Sequence, residues 1–301
     1  MYTNFTKKIS KKTAVLDSDV QRSKDLRNMD LSSQNLVGYD FTGANLNAAN
    51  LTGSDLTDAD LKKSVLVRAS LTGANLTDAN LTKADMTGAT LEKANLERAN
   101  LTRTDLRGAN LEGAYLGHAN ISLANLWRVN LRGANLEGAN LTDVLLASVN
   151  LQDAVLTGVN LTRADLSFAN LEGANLTDAN LQGVNLTGAN LEGANLTGAN
   201  LEGANLTRAD LTDANLSNAN LSNANLRFLS SADGKVLACM NAGKYQVVIS
   251  KEKIAIGCKF YTIEEWRGFD DERISRMDCG ALEWWNKWKE VILMFHANVF
   301  R

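Results

Sequence analysis

Proline is missing altogether from these 301 residues. Average usage near 5% would supply about 15. Proline is the one residue without a backbone N–H, so its exclusion points to a chain that commits nearly all its N–H groups to a continuous ladder. Cysteine is scarce: Cys239, Cys258 and Cys279 are odd in number, widely spaced and confined to the last quarter. That pattern excludes a disulfide framework or metal knuckle and reads as reduced thiols in a cytoplasmic protein. Histidine occurs only at His118 and His296. No apolar run approaches the ~18 residues of a membrane span. The N-terminal lysines precede no apolar h-region, unlike a secretory signal. Charge is nearly balanced, with 34 acidic and 31 basic side chains for a net −3.

What is present is a repeat. From Leu31 to Leu226 every fifth residue is leucine, except Phe41, Met86 and Ile121. The residue two before each is nearly always Ala, and the one directly before it nearly always Asn or Asp, as in Ala194-Asn195-Leu196-Thr197-Gly198. A helix of period 3.6 cannot hold such a repeat on one face, and simple strand alternation fails too. A short extended segment that turns a corner every five residues succeeds, with Leu and Ala inward and the other three positions facing water. Self-similarity at a fixed period is the signature of a solenoid.

The A-(N/D)-L-x-x unit resembles the pentapeptide-repeat family over about residues 25–230. The resemblance implies an all-β solenoid, a right-handed quadrilateral β-helix of about ten coils, roughly 45 Å long at the spacing of neighbouring strands. No insertion breaks the register from Leu31 to Leu226, unlike the quinolone-resistance members, whose coils carry projecting loops.

Solenoid ends need covering. At the first coil the corner residues are Lys24, Met29, Gln34 and Tyr39 in place of Ala, the expected N-terminal cap. Residues 1–24, with Lys7, Lys8, Lys11 and Lys12, read as a flexible basic arm. Residues 231–301 read as a small α+β capping or dimerisation module. Strands are expected at Tyr245–Ile249 and Lys253–Phe260, a short helix at Ile263–Trp266 capped by Thr262 with Glu265, and a longer helix at Ala281–Val299. On that last helix Trp284, Trp288, Val291 and Phe295 mark an apolar stripe that Trp285 and Ile292 widen. The arc either covers the last coil or forms a homodimer interface. The module's I-G-C-K…I-E-E-W…A-L-E-W-W-N-K-W-K pattern, Ile256 to Lys289, resembles tails on pentapeptide-repeat proteins of bacteria and their phages, implying a bacterial host cell.

Nothing in the chain reads as an enzyme. The two histidines lie on different modules, and the glycines belong to the repeat, not to a phosphate loop. No cofactor, metal or catalytic residue is expected, and Cys258 reads as a core thiol.

Sorting the outward residues by side is more informative. The sides centred on Leu31 and Leu36, and every twenty residues beyond, carry Asp58, Asp78, Glu92, Glu97, Glu112, Glu137, Asp153, Glu172, Asp178, Glu192 and Asp213 after the centres, with Asp30, Asp55 and Asp210 before them. Only Lys93, Arg98 and Arg132 oppose these. The other two sides carry ten bases against eight acids, a net of +2. Some pentapeptide-repeat proteins mimic DNA in the DNA saddle of type II topoisomerases. The acidic strip therefore suggests an inhibitor of a DNA-handling enzyme, such as a host topoisomerase or an antiphage-defence nuclease. A competing feature is the outward apolar set Leu123, Trp127, Leu145 and Phe168 beside Arg128, with the composition of a protein-binding hot spot. It suggests a scaffold that binds a protein partner without mimicry. Direct nucleic-acid binding and membrane contact are not expected.

Overall fold

The computed structural model describes residues 24–216, 219–221, 223–225, 238–242, 245–249, 253–256, 259–277 and 281–299. Lys7, Lys8, Lys11, Lys12, Leu226, Cys258 and Cys279 lie outside them, as do the side chains of Cys239, Val291, Phe295 and His296.

Parallel bridges join each residue before a centre to the residue twenty further on, from Asp25↔Asn45 to Asn205↔Asn225. Five-residue units bridged at that offset stack as coils of four sides. The centres are buried, Leu31, Leu36 and Leu46 completely, and the Ala two before each is buried beside them.

One unit shows why proline is excluded. In 59–63, Ala59 N–H closes a turn on the Leu56 carbonyl at 3.0 Å. Asp60 N–H bonds back to Tyr39, while Leu61 and Lys63 N–H bond forward to Asn80 and Thr82. The fifth donor, Lys62 N–H, is taken by the Asp60 carboxylate at 3.0 Å. All five N–H groups are engaged, so no position in the unit can lose its donor without leaving an acceptor unmet.

This also explains the Asn or Asp before each centre. Its side-chain oxygen accepts the N–H two residues on, the local bond that these residues favour at turns. Asn amides then join coils: Asn75 Nδ2 donates to Thr57 Oγ1 at 2.8 Å and Asp55 Oδ1 at 3.2 Å. The expectation that three positions per unit face water is therefore corrected. The residue before each centre is typically half-buried within a polar ladder, as the first turn residue often is, and the second turn residue is the one typically exposed. Every described residue at the second turn position has φ between +54° and +70°, yet only sixteen are glycine. Each of the others holds a left-handed backbone at some cost.

At the first coil Met29 and Tyr39 pack partly exposed against the core, and the Tyr39 and Phe41 rings stack at 6.0 Å.

The C-terminal residues have their own core. Strands β1 (Ala238–Ala242), β2 (Tyr245–Ile249), β3 (Lys253–Ile256) and β4 (Lys259–Thr262) form an antiparallel meander. The single strand expected at Lys253–Phe260 is thus two, because the chain reverses to pair Ile256 with Lys259; β1 is an addition. Helix α1 (Ile263–Gly268) carries the expected capping box: Thr262 Oγ1 accepts from Glu265 N–H at 3.2 Å, and Glu265 accepts from Thr262 N–H at 2.7 Å. Helix α2 (Asp271–Ser275) is capped by Asp270, and α3 runs Ala281–Val299. The stripe on α3 is rotated from the expected one. Ala281, Trp285 and Ile292 are buried, while Trp284 and Trp288 flank them half-buried. Packing explains it, since Trp285 meets Trp266 at 5.1 Å and Trp266 is pinned by Nε1 to the Ile254 carbonyl at 2.8 Å.

Candidate partner-binding surfaces

Among the described residues no three His, Cys, Asp or Glu side chains converge to hold a metal, and no helix is long and apolar enough to cross a membrane. His118 projects from a turn, and a Cβ on Gly138 one coil on would meet its ring at 2.6 Å.

Because side chains twenty residues apart share a column, the turn positions make continuous ridges. On the acidic half, Asp58, Asp78, Glu97, Glu112, Glu137, Asp153, Asp178 and Asp213 are exposed, whereas Glu92, Glu172 and Glu192 are half-buried. Glu92 accepts from Asn110 Nδ2 at 2.6 Å and so belongs partly to the ladder. Asp30, Asp55 and Asp210 belong to it outright: Asp55 Oδ1 accepts from the N–H and hydroxyl of Thr57 and from Asn75. They are not outward charges, which corrects the count of the strip. Two of its three bases pair with part of the remainder. Arg98 forks onto Asp78 at 2.9 and 2.6 Å, and Arg132 lies 3.8 Å from Glu112. The hydrogen bonds from Arg98, with its charge acting in the same sense, hold the Asp78 carboxyl below its ordinary range.

The same correction sharpens the other half. Asp60, Asp85, Asp105 and Asp165 are half-buried ladder residues, and Asp40 accepts from Thr42 N–H at 2.8 Å beside Lys24. Counting only the turn positions, eleven acids stand against three bases on one half, and ten bases against two acids on the other. The rod is more evenly polarised than the whole-side totals indicate.

Leu123, Trp127, Leu145 and Phe168 are exposed at 48%, 44%, 54% and 68%. Leu145 sits one rung along from Asn125, midway between Leu123 and Trp127. The Arg128 guanidinium lies 4.4 Å over the Trp127 ring. The patch coincides with a stretched ladder. Leu145 N–H reaches the Ala124 carbonyl at 3.4 Å, against 3.0 and 2.9 Å for the equivalent bonds of Asn125 and Asp165. Leu145 has no amide to join the ladder, and the β-branched Val129, Val144 and Val149 fill corners that Ala occupies elsewhere. Sequence reasoning missed two exposed side chains, Tyr115 at 51% and Val37 at 43%. Tyr115 was findable, because like Leu145 it replaces the usual Asn or Asp before a centre.

The pentapeptide repeats (8 copies) family model matches overlapping stretches from 25–62 to 189–227. No curated protein matches the chain by sequence. Among solved structures, HetL, a pentapeptide repeat protein involved in heterocyst differentiation regulation from the cyanobacterium Nostoc, is 33% identical over 73% of this chain and 97% of its own, with a TM-score of 0.39. QnrB1, a plasmid-mediated fluoroquinolone resistance protein, is 18% identical over 66% of this chain and 92% of its own, with a TM-score of 0.40. Rfr23, from the cyanobacterium Cyanothece, is 37% identical over 36% of this chain and 61% of its own, with a TM-score of 0.13.

Proposed function

The chain belongs to the pentapeptide-repeat family, and on that premise we propose that it is a non-catalytic binding protein, a right-handed β-helix of about ten coils that offers its acidic half to the DNA-binding cleft of a DNA-handling enzyme. The segregation of the turn charges carries this reading: eleven acids and three bases share one half of the rod. A cleft built to attract phosphates attracts carboxylates repeated along a rod. Duplex DNA of the same length, about 45 Å, carries on the order of 25 charges, so the strip presents under half the charge density of a duplex. Its binding is expected to be salt-sensitive.

The test is capture from bacterial lysate at low and raised salt, with duplex DNA as competitor. A DNA-binding enzyme held at low salt and displaced by DNA supports the reading. Reversing Glu137, Asp153 and Asp178 to Lys, which carry no ion pair among the described residues, then abolishes capture. Retention by the reversed protein overturns mimicry.

A second reading rests on the stretched rung at Leu145. The chain gives up a ladder position there and exposes an apolar side chain, as expected of a scaffold that grips a protein through Leu123, Trp127 and Phe168. A homodimer through Trp284 and Trp288 of α3 is compatible with either reading, because both rings stay half-buried beside the core of their own module.

A further inference from the structure

On the basic half, one turn column runs Lys63, Lys83, Arg103, Leu123. Each backbone is tied to the next coil, Lys63 N–H to Thr82, Lys83 to Thr102 and Arg103 to Ser122. The side chains therefore rise by one strand spacing, about 4.8 Å per step. All four are exposed, and none of the three cations meets a carboxylate among the described residues. At other places in the rod an arginine stacks on an acid one coil away and pairs with it. Arg98 pairs with Asp78, and in this same column Arg163 forks onto Asp143 at 2.7 and 2.8 Å. Three like charges in successive coils repel one another, and each also holds a positive φ, at +57°, +60° and +60°, where glycine is the unstrained choice.

We infer that this ridge, continuing into Leu123, Leu145 and Trp127, is the docking surface for an acidic amphipathic helix of a protein partner. The inference rests on the second reading above and adds the partner's chemistry. Carboxylates three and four residues apart on a helix have Cβ atoms about 5–6 Å apart, close to the coil spacing, so one acidic face meets the three cations in turn. Apolar residues further along that helix then reach Leu123 and the face between it and Trp127, whose ring is held in place by Arg128. A nucleic acid strand would match the cations but leave the two leucines without a counterpart, so a protein segment is the better fit.

The test uses the full chain and two synthetic helical peptides of identical composition, followed by fluorescence anisotropy. One carries Glu along one face with leucines at its end; the other has the same residues scrambled. The ridge is removed by K63G, K83G and R103G together, which relieves the backbone and so protects folding. The patch is removed by L145N and W127A together. The aligned peptide is expected to bind at least about tenfold tighter than the scrambled one, and each variant to lose about that factor. Loss only in the patch variant overturns the acidic-helix assignment while leaving the scaffold reading intact. Equal binding of both peptides with no loss in either variant overturns both. A duplex that binds tighter than the peptide and is lost with the ridge overturns the protein assignment in favour of a polyanion. Self-association that disappears in the ridge variant overturns it in favour of a second copy.

Discussion

Arg98 reaches back one coil and grips Asp78 with two prongs, Nε to Oδ1 at 2.9 Å and Nη2 to Oδ2 at 2.6 Å. Arg163 repeats the grip on Asp143. In both pairs the hydrogen bonds lower the aspartate below its ordinary 3.8 and raise the arginine. A carboxyl that titrates lower folded than unfolded adds stability in full above the unfolded value and loses it as pH falls through the folded one. Acid denaturation should therefore be steeper for the wild type than for a D78N/D143N variant, by a small margin because both pairs are exposed. Urea melts at neutral pH and near pH 3 check this; parallel curves would contradict it.

L145N should restore the ladder between Asn125 and Asp165 and shorten the 3.4 Å bond to Ala124. A gain of about 1 kcal/mol is expected from one new hydrogen bond, read as a higher denaturant midpoint at constant slope. If Leu145 anchors a partner, the same change weakens binding while it strengthens the fold.

L123G should stabilise and G193A should destabilise, each by about 1 kcal/mol, for the same backbone reason. Leu123 sits at φ +60° and Gly193 at +64°, and a Cβ on Gly193 meets nothing within 4 Å, so no clash confuses the comparison. Thermal melts of the pair check it. A loss of stability in L123G would mean that its side chain packs more strongly than its exposure implies.

L136A should cost about 2–5 kcal/mol, since Leu136 is completely buried in the middle of the rod. In a solenoid each coil leans only on its neighbours, so hydrogen exchange should rise first in the coils flanking 136 and least at the ends. Uniform exchange along the rod would refute that local response.

Much of the fold was legible because the repeat leaves so few choices. Leucine and alanine at fixed places identified the inward positions, and Thr262 with Glu265 announced their helix cap three residues apart. The splitting of Lys253–Phe260 into β3 and β4 was hidden because a tight reversal inside an apolar run leaves alternation intact. On α3 an arc containing Trp284, Trp285 and Trp288 has no centre until Trp266 selects Trp285. The outward charges were misjudged for a different reason: an aspartate before a centre looks like any surface acid. Only the N–H two residues ahead of it, waiting for an acceptor, reveals that it is structural.

The bridges at twenty residues have a consequence for how such a gene can change. Adding or deleting four units lengthens or shortens the rod and returns every later side chain to its own column. Adding one unit preserves every turn, the pattern of backbone bonds and every buried leucine, yet rotates all that follows by a quarter turn and gives the inter-coil side chains new partners. Acidic ridges would then abut different neighbours, and Arg163 would leave Asp143. Stability would scarcely register the insertion, while recognition would be rewritten from that point onward.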